Sequence, residues 1–585
     1  MTHRTALIAG LAAAGALLLS SCSTDAAIPT VAGEVATSAV ATSSVTGAVA
    51  ELSYADLGIT EADLSVDLVD AVELVLADGA SASGRGVSVD GDIVTITAAG
   101  TYRVSGSLSS GSLLVDAPDG AVTLVLDGVD ITAASVAAID VVDAERVVLW
   151  LADGSENVLA DASGAEVDES GQDPTNATLF STCDLWIAGE GALSVTAHAA
   201  DAITSKDSLV IAGGEITVEA ADDGVRGKDH LVITGGAITA DVAGDALRSD
   251  NDAVTQDADE PVGVVWIDGG TIDLTAGSDA VDAARQVTVL SGELTIAAND
   301  DGLHSDNVLR IDGGTIDITE SYEGIEGAHL YLSGGDVTVV SADDGINVAG
   351  GVEESTVTTG GGVPAADRAG RPAMGDRPVG GRMAGGPGGQ VATSEVVEDL
   401  ASLTVAAMVD SGFGGPPEGV NGTRFLEFSG GTYVIDAMSD GVDVNGAMTM
   451  TGGTLVVSGT DDFRNGALDV DDTFTVSGGT LAANGMAAMA VAPGEGSTQA
   501  TLALTFSGTV PAGTLITITA EDGTQVASFT TAKASQSFIY SSDALVAGAD
   551  YAISVGGDVT GESIGWLGLD GTAAGGDSIG TVAAV

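Results

Sequence analysis

The chain has 585 residues, 85 of them acidic and 17 basic, for a formal charge of −68. Such a field repels nucleic acid and anionic lipid surfaces and favours cations, so neither nucleic acid nor a lipid surface is an expected partner. Hydrophobic residues make up 45%, glycine 83 positions and aromatics only 3%, which excludes a disordered acidic tail and points to short strands with tight corners, an all-β fold.

Arg4 and the apolar run Ala6 to Leu19 read as a signal peptide, too short for a membrane span. The run ends in Leu19-Ser20-Ser21-Cys22, which resembles the bacterial lipobox. That resemblance implies a lipoprotein signal over residues 1–22 and lipidation of the Cys22 thiol. The expected location is the outer face of the cell membrane, with the lipid as the sole membrane contact. Residues 23–60, rich in Ala, Ser, Thr and Val, read as a flexible tether. Cys183 has no partner, since the thiol of the only other cysteine, Cys22, is expected to carry lipid, which excludes a disulfide framework; it reads as an inert buried thiol.

Residues 61–190 hold short alternating strands such as Ile93 to Ile96, Leu113 to Val115, Val122 to Leu126 and Val147 to Trp150. Over residues 191–350 a repeat emerges. A Gly-Gly pair recurs at 213, 235, 269, 313, 334, 430, 452 and 478, with Ser291-Gly292 in the same slot, mostly 22 residues apart. A second marker keeps that phase: an acid, then Gly or Ala, then an aliphatic, from Asp201-Ala202-Ile203 to Asp440-Gly441-Val442. A 22-residue unit with two or three short strands is too small for a propeller blade and fits one turn of a parallel β-helix. Coils about 4.8 Å apart would give a rod on the order of 60 Å. Residues 351–424 form an insertion whose stretch from about Gly350 to Gly389 is Gly-, Pro- and Arg-rich and reads as a mobile loop, residues 425–495 hold further coils, and residues 496–585 read as a C-terminal β-cap and tail.

Stacking turns the acidic marker into a column: Asp201, Asp223, Asp245, Asp279, Asp301, Glu323, Asp344 and Asp440. Three residues on lies a second: Thr204, Arg226, Arg248, Asp282, His304, Glu326, Asn347 and Asp443, with Asp222, Asp300, Asp343, Asp461 and Asp462 beside them. Two carboxylates about 5 Å apart repel by roughly 3 kcal/mol at an effective dielectric near 20. Such a ladder needs water, basic residues or cations, unless each Asp merely caps its own turn. Calcium suits oxygen ligands in loose geometry, and the expected ligands are Asp279, Asp282, Asp301, Glu323, Glu326, Asp344 and Asn347, where no arginine intervenes. Five histidines and two cysteines are too few for zinc or copper. Lys206, Arg226, Lys228 and Arg248 form a basic patch that either binds a sugar carboxylate or neutralises the acidic column. No catalytic constellation stands out, and His230 and His304 read as surface residues.

The phrases Asp222-Asp223-Gly224-Val225, Leu231 to Gly236, Asp300 to Asp306 and Asp343 to Asn347 resemble secreted bacterial carbohydrate-binding domain-containing proteins. Gly100 to Gly106, Leu124 to Val129 and Gly466 to Asp469 are similar to the same family, so the resemblance spans about residues 85–555. It implies a right-handed parallel β-helix like that of pectate lyases, bound calcium, and affinity for cellulose or acidic, uronate-containing polysaccharide without established catalysis. The scarcity of aromatics argues against flat stacking on crystalline cellulose. Non-catalytic binding by a monomer is the first expectation. A calcium-dependent polysaccharide lyase using the basic patch, and a plain surface spacer or adhesin, are the alternatives.

Overall fold

The computed structural model describes residues 52–59, 70–81, 83–165, 167, 175–252, 261–350, 399–408, 424–568 and 571–585. Cys22, the signal segment and most of the tether lie outside these residues. Within them the fold is all-β, with one 3-10 turn at Leu400–Ser402.

Local alternation sets the strands. Glu215–Ala220 reads EITVEA, and only Ile216 and Val218 are buried. Ala237–Val242 repeats the pattern one coil on and lies parallel to it, Ile216 beside Ile238. The same inward row continues through Ile272, Leu294, Ile316, Val337, Tyr433, Leu455 and Leu481, each paired to the next in parallel register. Each of these side chains is 2% exposed or less. Burial of such a residue is worth about 1.5–3 kcal/mol, so the stack is the main source of cohesion.

Two further ladders run alongside. One stacks Asp201–Ser205, Val225–Gly227, Leu247–Ser249, Val281–Ala283 and Leu303–Ile311 in parallel. The other stacks Val147–Leu151, Leu185–Gly189, Leu209–Ile211 and His230–Ile233. Inward rows of all three ladders share a single apolar core. The Gly-Gly pairs turn the corner into the Ile216 ladder. At Gly431 φ is +80°, and a Cβ would stand 2.3 Å from the Gly334 carbonyl oxygen of the coil below, so the slot excludes other residues on two grounds.

At the C-terminal end, Thr480–Gly485 accepts an antiparallel partner, Ser535–Ser541, which in turn pairs with Thr501–Val510. A second antiparallel sheet holds Leu515–Ala520, Gln525–Thr530, Asp550–Val555 and Asp577–Ala583. The two sheets enclose their own core of Ile516, Ile518, Phe529, Phe538, Tyr551 and Ile553. The last parallel edge is thereby paired rather than left open.

Two segment boundaries drawn from composition need correction. Beyond Gly350 the stretch read as mobile loop lies outside the described residues, but the end of the insertion belongs to the cap: Val405–Ala407 runs antiparallel to Thr501–Val510, with Leu403 buried in the cap core. The tether does not extend to residue 60. Tyr54 packs against Trp266 with ring centroids 5.7 Å apart and donates a hydrogen bond to Asp268 Oδ2 at 2.7 Å, while Leu57 is buried. In both places a few apolar side chains within a polar stretch find a core, an effect that average composition hides.

Candidate metal centre

The second column stands as a backbone ladder. Thr204 pairs with Arg226, Arg226 with Arg248, Arg248 with Asp282, Asp282 with His304, His304 with Glu326, Glu326 with Asn347 and Asn347 with Asp443. In the first column, each of several carboxylates serves the coil above. Asp223 Oδ1 accepts the Asp245 N–H at 3.0 Å, Asp245 Oδ1 that of Asp279 at 3.1 Å, and Asp279 Oδ1 that of Asp301 at 2.9 Å. Asp344 Oδ1 accepts the Asp440 N–H at 2.9 Å. These acids cap the neighbouring coil rather than their own turn, which leaves the second carboxylate oxygen to face the other column.

What meets that oxygen changes along the column. At the N-terminal end it is arginine. Arg248 Nη1 lies 3.0 Å from Asp223 Oδ2 and 2.9 Å from Asp245 Oδ2, and its Nε is 3.6 Å from Asp282 Oδ2. Arg226 joins Asp250 and lies 3.6 Å from Asp201 Oδ2. Both guanidiniums are largely buried in these pairs, so they neutralise the acids and do not present a free fork to a ligand. Lys206 and Lys228, both half-exposed, have no ion pair with a described residue; Lys206 sits 5.7 Å above the Phe180 ring. Burial and the nearby Arg226 charge hold the Lys206 ammonium below its usual range.

In the middle, carboxylates crowd around an imidazole. His304 Nδ1 is 2.9 Å from Asp282 Oδ1. Three sets of ligand atoms lie mutually within 4.8 Å: Asp279, Asp282 and His304; Asp301, His304 and Glu326; and Asp279, Asp300 and Asp301. Burial pushes the Asp279 carboxyl up to about 8, and the charge of Asp245 adds to it. Asp301 is raised well above its usual range by burial, then by Asp279, Glu323 and Glu326. Burial alone would lower His304, but the hydrogen bond and charge of Asp282, with Asp279 and Glu326, raise it to about 9. The donor set is rich in carboxylate oxygen, and its fully ionised form is strongly self-repelling. It therefore fits a divalent cation chemically.

Of the seven ligands expected from the sequence, the structure gathers Asp279, Asp282, Asp301 and Glu326. Glu323 instead accepts a hydrogen bond from Asn347 Nδ2 at 2.7 Å, and neither these two nor Asp344 joins the close sets. Arg248 does reach Asp282, so the segment is not free of arginine. His304 and Asp300 complete the cluster. The surface reading of the two histidines is wrong: the His304 side chain is 16% exposed, and His230 is buried with Nδ1 2.9 Å from Ser208 Oγ. Membership of the second column was the signal for His304, and its isolated chemistry obscured it. The Cys183 thiol is half-buried, and burial raises its pKa, in keeping with an unreactive group.

A family model described as carbohydrate-binding domain-containing protein matches residues 90–361. A curated protein of that description from Acetivibrio thermocellus is 39% identical over 277 residues, which cover 47% of this chain and 93% of the relative. A solved structure described as the polysaccharide lyase-like protein from C. thermocellum, in a gadolinium derivative, is 33% identical with a TM-score of 0.39. That match covers 41% of this chain and 96% of the other.

Proposed function

This chain belongs to the family of carbohydrate-binding domain-containing proteins, and from that premise we propose that it is a lipid-anchored, calcium-dependent polysaccharide binder without catalysis. The stacked coils are read as a right-handed parallel β-helix, held by Cys22 at the outer face of the membrane and working as a monomer. The observation that carries the metal reading is the close approach of Asp279, Asp282, Asp301 and Glu326 around His304. A divalent cation there would relieve the repulsion of buried carboxylates, and calcium suits the predominance of oxygen donors.

The glycan is read as cellulose or a uronate-containing polymer. Polymer carboxylates would meet Lys206 and Lys228, because Arg226 and Arg248 are committed to the acidic column. The lyase alternative finds one point of support in the lowered Lys206, since a lyase needs a neutral base. The arginines supply none, as each is held charged between carboxylates. Affinity electrophoresis in gels containing polygalacturonate or soluble cellulose derivatives tests the reading. On polygalacturonate, retardation with calcium that EDTA abolishes is expected; equal mobility in every gel favours the spacer. Ultraviolet absorbance from unsaturated product on polygalacturonate would instead establish a lyase.

A further inference from the structure

The four tryptophans of the chain divide sharply by accessibility. Trp186 and Trp266 are 3% and 4% exposed and cannot meet a ligand, whereas Trp150 and Trp566 are half-exposed, and of these two it is Trp566, in the cap, that borders a cleft. Its position is fixed by backbone. Ser563–Ile564 and Leu567–Gly568 form a tight hairpin with Ile564 opposite Leu567, which leaves Gly565 and Trp566 at the tip. Gly565 takes φ +52° to make that turn. The hairpin docks on the cap sheet, with Leu567 beside Phe529 and Gly568 beside Ser528, and the Thr530 N–H donates to the Trp566 carbonyl at 2.9 Å. A Cβ at Gly568 would stand 2.5 Å from Ser528 Oγ, so a larger residue there would have to displace that hydroxyl.

The result is a cleft of about 130 Å³ bordered by Trp566, Val559, Thr530, Ser563 and Glu562. Its chemistry is specific in kind. The indole offers a flat apolar surface, the two hydroxyls can donate or accept, and the carboxylate accepts. A pyranose ring has the matching pair of features, a C–H face and a rim of hydroxyls. Among the described residues no lysine or arginine lines the cleft, and Glu562 adds an anion to its lining. A uronate is repelled there, and an uncharged sugar is not.

We propose that this cleft is a second saccharide site, for a neutral sugar, separate from the acidic column. It lies outside residues 90–361 and does not depend on the metal reading. Two sites of opposite charge preference on one chain would give a polymer with neutral and acidic blocks two simultaneous holds.

The test is calorimetric titration of the full chain with cellotetraose, xylotetraose and mannotetraose, each with calcium and with EDTA. At least one should bind, equally in both conditions. Trp566→Ala should weaken it at least tenfold. Because Trp566 also packs on the cap core, Ser563→Arg serves as a second variant, filling the cleft from an exposed position. It should give the same loss with an unchanged melting temperature. Absence of binding by all three sugars, undiminished binding in both variants, or binding that EDTA removes would overturn the proposal; the last would place the neutral-sugar site at the column.

Discussion

Arg248 touches Asp223, Asp245 and Asp282, which belong to three successive coils. Its removal leaves buried carboxylates without a counter-charge, and Arg248→Met should cost about 3–5 kcal/mol in denaturant unfolding. A change within experimental error would show that water suffices to balance those acids. Asp301→Asn should act in opposite directions with and without metal. In EDTA it relieves repulsion from Asp279, Glu323 and Glu326 and should hold or raise the melting temperature, while in calcium it should shrink the stabilisation seen in the parent. A fall of equal size in both conditions would deny Asp301 a metal-binding role.

Asp201, Asp440 and Asp443 carry folded-state values of about 7, 7 and 8, each raised first by burial and then by neighbouring carboxylates. The folded chain thus binds protons that the unfolded chain, with carboxyls near their usual value, has already lost. The resulting stabilisation is full below about pH 4 and is lost as pH rises through about 7 to 8. In EDTA the melting temperature should therefore fall between about pH 5 and pH 9; a flat profile would contradict the burial of these groups. At this scale the sequence shows which residues align, because a 22-residue period is visible in the letters. It does not show that an Asp oxygen would bond the next coil's N–H, nor that Arg248 would lean across to Asp282. Those depend on side-chain reach within the stack.

Strands and corners are the most legible elements. Alternation in EITVEA and the Gly-Gly phase mark the Ile216 ladder directly, since a period of two sets the buried face and positive φ selects glycine. Gly431→Ala tests the corner: with φ +80° and a carbonyl oxygen 2.3 Å from the added Cβ, it should cost about 2 kcal/mol or more. Chemical denaturation would read that loss, and wild-type stability would mean the corner can open. Val405–Ala407 was hidden by contrast, because three weakly apolar residues carry no period. Its place is decided by a partner strand about a hundred residues later.

For the whole molecule, stability follows from neighbour-on-neighbour stacking, and the ends matter most. Removing residues 496–585 should bare the edge of Thr480–Gly485 and the apolar residues now facing the cap. Light scattering should then show association beyond that of the full chain; a species no larger than the parent would show that the edge protects itself. The fold could be read from the sequence because a repeat multiplies one weak signal many times. The centre could be read only in part, because His304 matters through its place in the stack and not through its local motif. The most direct test of the account is a calcium titration of the full chain by calorimetry, beside the Asp279→Asn/Asp301→Asn double variant. Saturable binding by the parent that the double variant loses is the predicted result. Equal heats from both, or none from the parent, would contradict a cation at the middle of the column.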